Sequence, residues 1–305
     1  MNDAALTKFI TDHHTSDQSC HVLIDPTSMS GKSDQAVLEG LRQALDAKAF
    51  TQIYRPDLTH TPDAHPVLAC LASAGETLPE SLLTLTAQAS LRDIRRQRRL
   101  VCGWLFSDRP AGALAEHILS LCKVSITQTE ARFYPLFEPV RLELFAAAFE
   151  HVAQKPWWPI RNWLFLTSGG LPVQMPGEPY THRPTPVAAG EMQDEAPLVQ
   201  AVLSAWRALL PQTETRPSLP TVAALLAYEE IVQARQQGLN EPADILALVL
   251  HQLSLHGQLH AHPAIRTLIG KAVQGQTPLT QMFAEYSDAN WRHVLANLPR
   301  SGVRP

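Results

Sequence analysis

Leu100-Val-Cys-Gly-Trp-Leu-Phe106, stopped by Ser107-Asp108, is the stretch on which the fold turns. It is short, uncharged and aromatic, and it ends in two residues that favour turns. That is the pattern of a buried strand. Working outward, Asp108 stands where it would cap a helix carrying Leu114, Ile118, Leu119 and Leu121. On the other side, His21-Val-Leu-Ile-Asp25 reads as a second buried strand. Ser33 would cap a helix with Val37, Leu38, Leu41 and Leu45 on one face. Residues 50–54 read as a strand closed by Arg55-Pro56, because the residue before proline leaves the helical region. Residues 66–71 form another apolar stretch, and residues 79–92 return to helical spacing. Downstream, residues 125–128 and 132–134 read as two short strands with a tight connection. Residues 140–152 form an amphipathic helix, and residues 163–167 a last strand. Strands alternating with helices predict an α/β (mixed α+β) domain over residues 1–168.

Composition then shifts. Of the 24 prolines, 11 fall between Pro156 and Pro220, so residues 169–220 are expected to form a Pro-rich linker or arm. Residues 221–305 are expected to be all-α. A helix over 221–237 stops at Gly238, Pro242 opens the next, and Leu246, Val249, Leu250 and Leu253 line one face. Further helices are expected over 263–273 and 278–298.

The chain has 305 residues, 45% hydrophobic and 18% charged, enough for one large or two modest cores. No run approaches the roughly 18 apolar residues of a membrane span, and the first ten residues lack a signal-peptide pattern. Both features point to the cytoplasm. The 25 Lys and Arg against 29 Asp and Glu argue against a general nucleic-acid binder, which needs a basic excess to displace counterions. Cys20, Cys70, Cys102 and Cys122 form no C-x-x-C pair and read as reduced thiols.

Several motifs invite a chemical reading. Pro26-Thr-Ser-Met-Ser-Gly31-Lys32-Ser33 lies between a strand and a helix, as a phosphate-cradling loop does. Pro26, however, replaces the first glycine and removes an N–H where the loop must turn. Nucleotide binding through Gly31, Lys32 and Ser33 is therefore the enzyme alternative, and a surface loop the favoured reading. His251, His256, His260 and His262 lack a nearby Cys, Asp or Glu to complete a metal set. Arg92, Arg95, Arg96, Arg98 and Arg99 read as a solvated helix end in preference to an RNA contact. Glu229-Glu230 reads as part of an exposed stripe, and Ser168-Gly169-Gly170 lacks the flanking glycine of a nucleophile elbow. No catalytic set, metal or cofactor is expected. Trp157-Trp158, between Pro156 and Pro159, cannot both face inward on an extended segment. At least one of them is then a candidate partner anchor, as are Trp206 and Trp291, since aromatics dominate interface hot spots; inter-domain packing is the equal alternative for the Trp157-Trp158 pair.

Taken in order, Leu23-Ile24-Asp25, the stretch 66–71, Gly103-Trp-Leu-Phe-Ser107 with its helix, and Glu130-Ala-Arg-Phe-Tyr-Pro135 resemble the type VI secretion effector adaptor family (Tap or TEC chaperones). The likeness covers residues 20–152, with a looser one through residues 238–298, where His262-Pro263-Ala-Ile-Arg266 and Trp291 resemble helical tails of such adaptors. The family's last motif usually reads arginine-aromatic-tyrosine-aspartate-proline. Arg132, Phe133, Tyr134 and Pro135 match it, and the aspartate is missing. The resemblance implies a non-enzymatic adaptor that binds a cognate type VI effector (a toxin) and helps load it onto the VgrG spike protein. Arg132, Tyr134 and the four tryptophans are the candidate partner-binding residues.

Overall fold

The computed structural model describes residues 1–125, 131–180, 188–210 and 219–298. Contacts divide the chain into two compact units: Met1–Asp194 with Ser218–Val222, and Glu195–Pro217 with Ala223–Pro305.

The first unit is mixed α and β. In chain order it holds α1 (Asp3–Asp12), β1 (Ser19–Ile24), α2 (Lys32–Ala44), β2 (Phe50–Gln52), β3 (Val67–Ala72), α3 (Glu80–Arg92), β4 (Val101–Ser107), α4 (Ala111–Leu121), β5 (Lys123–Ser125), β6 (Ala131–Phe133), α5 (Pro139–Ala148), β7 (Asn162–Leu166) and β8 (Pro172–Pro176). Six strands form one antiparallel sheet in the order β2-β3-β1-β4-β7-β8, and β5 and β6 pair separately. Successive side chains on a strand point to opposite faces. Val22, Ile24 and Trp104 accordingly join one core with Leu6, Ile10, Leu41 and Leu83. Leu23, Leu105 and Trp163 join the other with Leu114, Ile118, Phe137 and Phe145. Both faces are covered, which is why β1 and β4 read as nearly uninterrupted apolar runs.

A β-bulge bends β4 at its centre. Leu23 pairs with Gly103 and Ile24 with Val101, so Cys102 is the extra residue. Gly103 has φ +155°, and a Cβ there would stand 2.5 Å from the Leu164 carbonyl oxygen. Only glycine fits this close approach of β7.

Several boundaries differ from expectation. The polar lead-in is α1: Asn2 caps it by accepting from Ala5 N–H, and Leu6 and Ile10, one turn apart, are buried. Ser33 lies inside α2, whose N-cap is Gly31, with no side-chain bond. Asp108 does not cap α4, which starts after Pro110; its carboxylate pairs instead with Arg161 at 3.0 Å. The strand expected over 125–128 is β5, Lys123–Ser125; residues 126–130, which hold the rest of that expected strand and the start of the tight connection, lie outside the described residues.

The largest difference lies within residues 169–220, expected as an extended arm. Its start is β8, paired with β7 along its whole length. Its middle is α6 (Ala188–Leu209), 22 residues long with Pro197 inside. Proline density predicted breaks, but Ala196, Val199, Val202 and Leu203 are all buried, and such packing outweighs local propensity. Residues 181–187 and 211–218 lie outside the described residues.

In the second unit, the rest of α6 is joined by α7 (Ala223–Gln236), α8 (Pro242–Ser254), α9 (Pro263–Val273), α10 (Leu279–Ala284) and α11 (Asp288–Ala296). Helix α7 ends at Gly238 in the left-handed region, φ +93°, and Pro242 opens α8. The single helix expected over 278–298 is broken, because the Ser287 side chain caps α11 by accepting from Asn290 N–H. Among the described residues no helix is long and apolar enough to cross a membrane.

Candidate interaction site

The Arg132-Phe133-Tyr134-Pro135 motif leaves β6 and turns into α5. Tyr134 N–H donates to the Cys122 carbonyl at 2.8 Å, which holds the turn against the end of α4. The Tyr134 ring is buried, and its hydroxyl donates to Asp194 Oδ1 at 2.5 Å. Arg132 Nη1 lies 3.5 Å from both oxygens of the same carboxylate. The aspartate missing after Tyr134 thus has a counterpart on α6, 60 residues along the chain. Burial, reinforced by the Asp194 hydrogen bond and charge, raises the Tyr134 pKa. Side-chain exposures of 50% for Arg132 and 49% for Asp194 leave this pair facing water.

Beneath it, charged groups converge out of solvent. Arg141 lies over the Tyr134 ring, 5.8 Å from its centroid. It donates to the Gln193 carbonyl at 3.0 Å and to Gln193 Oε1 at 3.2 Å, and Gln193 Nε2 donates back to the Arg141 carbonyl at 3.0 Å. One turn earlier, buried Glu138 approaches Arg141 at 3.5 Å and Arg98 at 3.9 Å. Arg55, just past β2, stands 5.7 Å from the ring centroids of both Phe133 and Phe137 and pairs with Asp57 at 2.7 Å. Burial opposes the Arg55 cation, but Asp57, Asp25 and Glu138 outweigh it and its pKa rises. Burial lifts the pKa of Asp25 against its bonds from Thr27 and the charges of Arg55 and Arg98. It lifts that of Glu138 against Arg141, with Asp25 adding to the rise. The thiol of Cys102, at the bulge, is also pushed up by burial. This node joins the ends of β1 and β2, the bulge of β4 and the β6–α5 turn.

The tryptophans divide. Trp157 is buried, 5.7 and 5.8 Å from the rings of Phe145 and Phe149. Trp158 is half-buried with Arg161 4.6 Å from its centroid, so the pair does split between inside and outside. In the second unit Trp206 is buried, while half-buried Trp291 stacks on His251 at 4.9 Å and 17°. Trp157 and Trp206 therefore act as packing in this structure, leaving Trp158 and Trp291 as accessible aromatics.

In the stretch leading to Gly31-Lys32-Ser33, the backbone donors of residues 28–30 are turned back on the loop itself. Ser28 N–H bonds the Asp25 carbonyl, Met29 N–H the Pro26 carbonyl, and Ser30 N–H the Asp34 carboxylate at 2.9 Å. Asp25 and Asp34 take the N–H groups of Thr27 and Ser30, where a phosphate cradle needs free donors, and Lys32 is exposed on α2. The arginine run is not simply a solvated helix end. Arg92 and Arg96 hold buried Asp34 at 2.5 and 2.7 Å, and Arg99 is buried, donating to the carbonyls of Leu166 and Thr167 at 2.5 and 3.1 Å. Glu230 is likewise not on an exposed stripe: it is buried and accepts from Gln252. Ser168 donates through Oγ to Glu143 Oε2 at 2.8 Å.

His251 bonds the Ala247 carbonyl, His260 contacts Gln233 and Gln252, and His262 caps α9. Among the described residues no group of three or more His, Cys, Asp and Glu is placed to hold a metal ion.

The sequence reading missed Arg55, Glu138, Arg141 and Asp194. The i, i+3 spacing of Glu138 and Arg141 was a usable signal; nothing local marked Asp194. No family model, curated protein or solved structure matches this chain.

Proposed function

We propose that the chain is a non-enzymatic cytoplasmic adaptor that binds a cognate type VI secretion effector and helps load it onto the VgrG spike. The observation that carries this reading is the Arg132–Tyr134–Asp194 cluster. In one of the motifs that resemble the adaptor family, Arg132 is half-exposed, Tyr134 is buried and braced from beneath, and α6 supplies the carboxylate that the motif's own sequence lacks. An exposed guanidinium fixed beside a buried aromatic suits recognition of a protein surface, since arginine and aromatics anchor interfaces. The other resembling segments, Leu23-Ile24-Asp25, residues 66–71 and Gly103–Ser107, belong to three adjacent strands of the same sheet. The proposal includes a division of labour, with the Pro-rich stretch and the helical C-terminal region embracing the effector and the mixed unit meeting the other partner. It needs no cofactor, nucleic acid or membrane.

Co-expression with the products of the two flanking reading frames and with a VgrG protein, followed by size-exclusion chromatography, tests it. A stable complex is expected, weakened about tenfold or more by Arg132→Glu, which places two like charges side by side. A chain that elutes alone from every mixture would sink the proposal.

A further inference from the structure

The two edges of the sheet are built differently. Along β8, Thr167 N–H bonds the Leu171 carbonyl and Gly177 N–H the Arg161 carbonyl, both at 2.9 Å. In an antiparallel ladder the bonding residues alternate, so 171, 173, 175 and 177 face β7, while Pro172, Gln174 and Pro176 face outward. Two of these three have no N–H. That edge is closed to a further strand, a common protection.

Among the described residues the opposite edge is open. Ile53 N–H bonds the Pro66 carbonyl at 2.8 Å, and the register pairs Thr51 with Leu68 and Gln52 with Val67. Residues 51 and 53 therefore face β3, and the N–H and C=O groups of Gln52 and Tyr54 point away from the sheet. Among the described residues nothing accepts from either N–H. Gln52 is exposed, and Tyr54, 68% exposed, is the most exposed large apolar side chain of the chain's described residues.

We infer that β2 is a strand-addition site for an extended segment of a protein partner, with Tyr54 as its side-chain contact. Donors and acceptors alternating along an extended backbone match only another extended backbone. A second copy of this chain fits poorly. In an antiparallel self-pair centred on Gln52, Phe50 N–H is already held by the Ala47 carbonyl, so an outer bond is lost at each end. Single-turn 3₁₀ helices at Ala47–Ala49 and Pro56–Leu58 bracket the strand. So short a contact falls far below the roughly 1,200 Å² that a stable dimer buries. The occupant must bring contacts of its own, as a bound effector or spike protein would; in that respect the inference rests on the adaptor reading.

The probe is the complex formed with the flanking reading-frame products. Amide exchange at Gln52 and Tyr54 is expected to slow at least about tenfold on complex formation. Gln52→Pro removes an outward N–H without touching the β3 ladder, and is expected to weaken capture about tenfold. Gln52→Ala keeps the N–H and should bind as the wild type does. A complex with unchanged exchange at both amides overturns the edge site and leaves the adaptor reading standing, whether or not Gln52→Pro folds. Protection of both amides in the isolated chain, with a doubled mass, overturns it in favour of a second copy. A wild-type chain that captures neither product overturns both proposals.

Discussion

Asp194 shows how much of a site a single residue can decide. Its carboxylate accepts from a buried phenol at 2.5 Å while half of its own side chain faces water. Tyr134→Phe is expected to cost about 1 kcal/mol, because the carboxylate rehydrates once its donor is gone. Asp194→Ala should cost a similar amount. The double variant should fall short of the sum by about 0.5–1.5 kcal/mol in urea unfolding, and strict additivity would show that the bond is not made. The ion pair to Arg132, at 3.5 Å and half-exposed on both sides, contributes well under 1 kcal/mol. Arg132 and Tyr134 were legible because they lie in a contiguous motif. Asp194 was not, because no local pattern distinguishes it from any other acidic residue on a helix.

At the scale of the element, the bulge in β4 makes the sharpest demand on sequence. Gly103→Ala forces a Cβ to within 2.5 Å of the Leu164 carbonyl at φ +155°, so β4 and β7 must part. A loss of roughly 3 kcal/mol or more is expected. Gly112, on the exposed side of α4, would meet nothing within 4 Å. Gly112→Ala should stabilise the chain by up to about 1 kcal/mol. Urea midpoints of the two variants check both signs, and a neutral Gly103→Ala would refute the close approach. Most elements were legible because apolar residues recur at period 2 or 3.6. The misses have physical causes. Helix α1 buries few residues in a polar segment, so its periodicity is faint. Helix α6 tolerates Pro197 because its buried face outweighs local propensity.

At the scale of the whole molecule, folding competes with the protonation of groups held in the core. His21 is buried in β1, and among the described residues neither ring nitrogen has a hydrogen-bond partner. Burial pushes its pKa down from 6.5 to about 4. The unfolded chain therefore binds the extra proton between those values. Stability from neutral His21 is complete above pH 6.5 and is lost as pH falls towards 4, about 3 kcal/mol in all. Asp25 and Glu138, with raised pKa values, act in the opposite sense: their ionisation costs stability as pH rises. The difference between wild type and His21→Leu isolates the imidazole. The variant should show a shallower fall of urea stability from pH 6.5 to 4, and an identical pH profile would show that His21 is not buried neutral. The sequence by itself determined most strands and helices between β1 and β7, the glycine stop at 238 and the Arg132–Tyr134 motif, because each rests on neighbours within a few residues. Only the tertiary structure decided that the sheet is antiparallel, that β8 and α6 lie within the proline-dense stretch, and that Asp194 joins the motif. Strand order and the convergence of distant charges depend on how whole faces pack, and that energy is written in no single window of the chain.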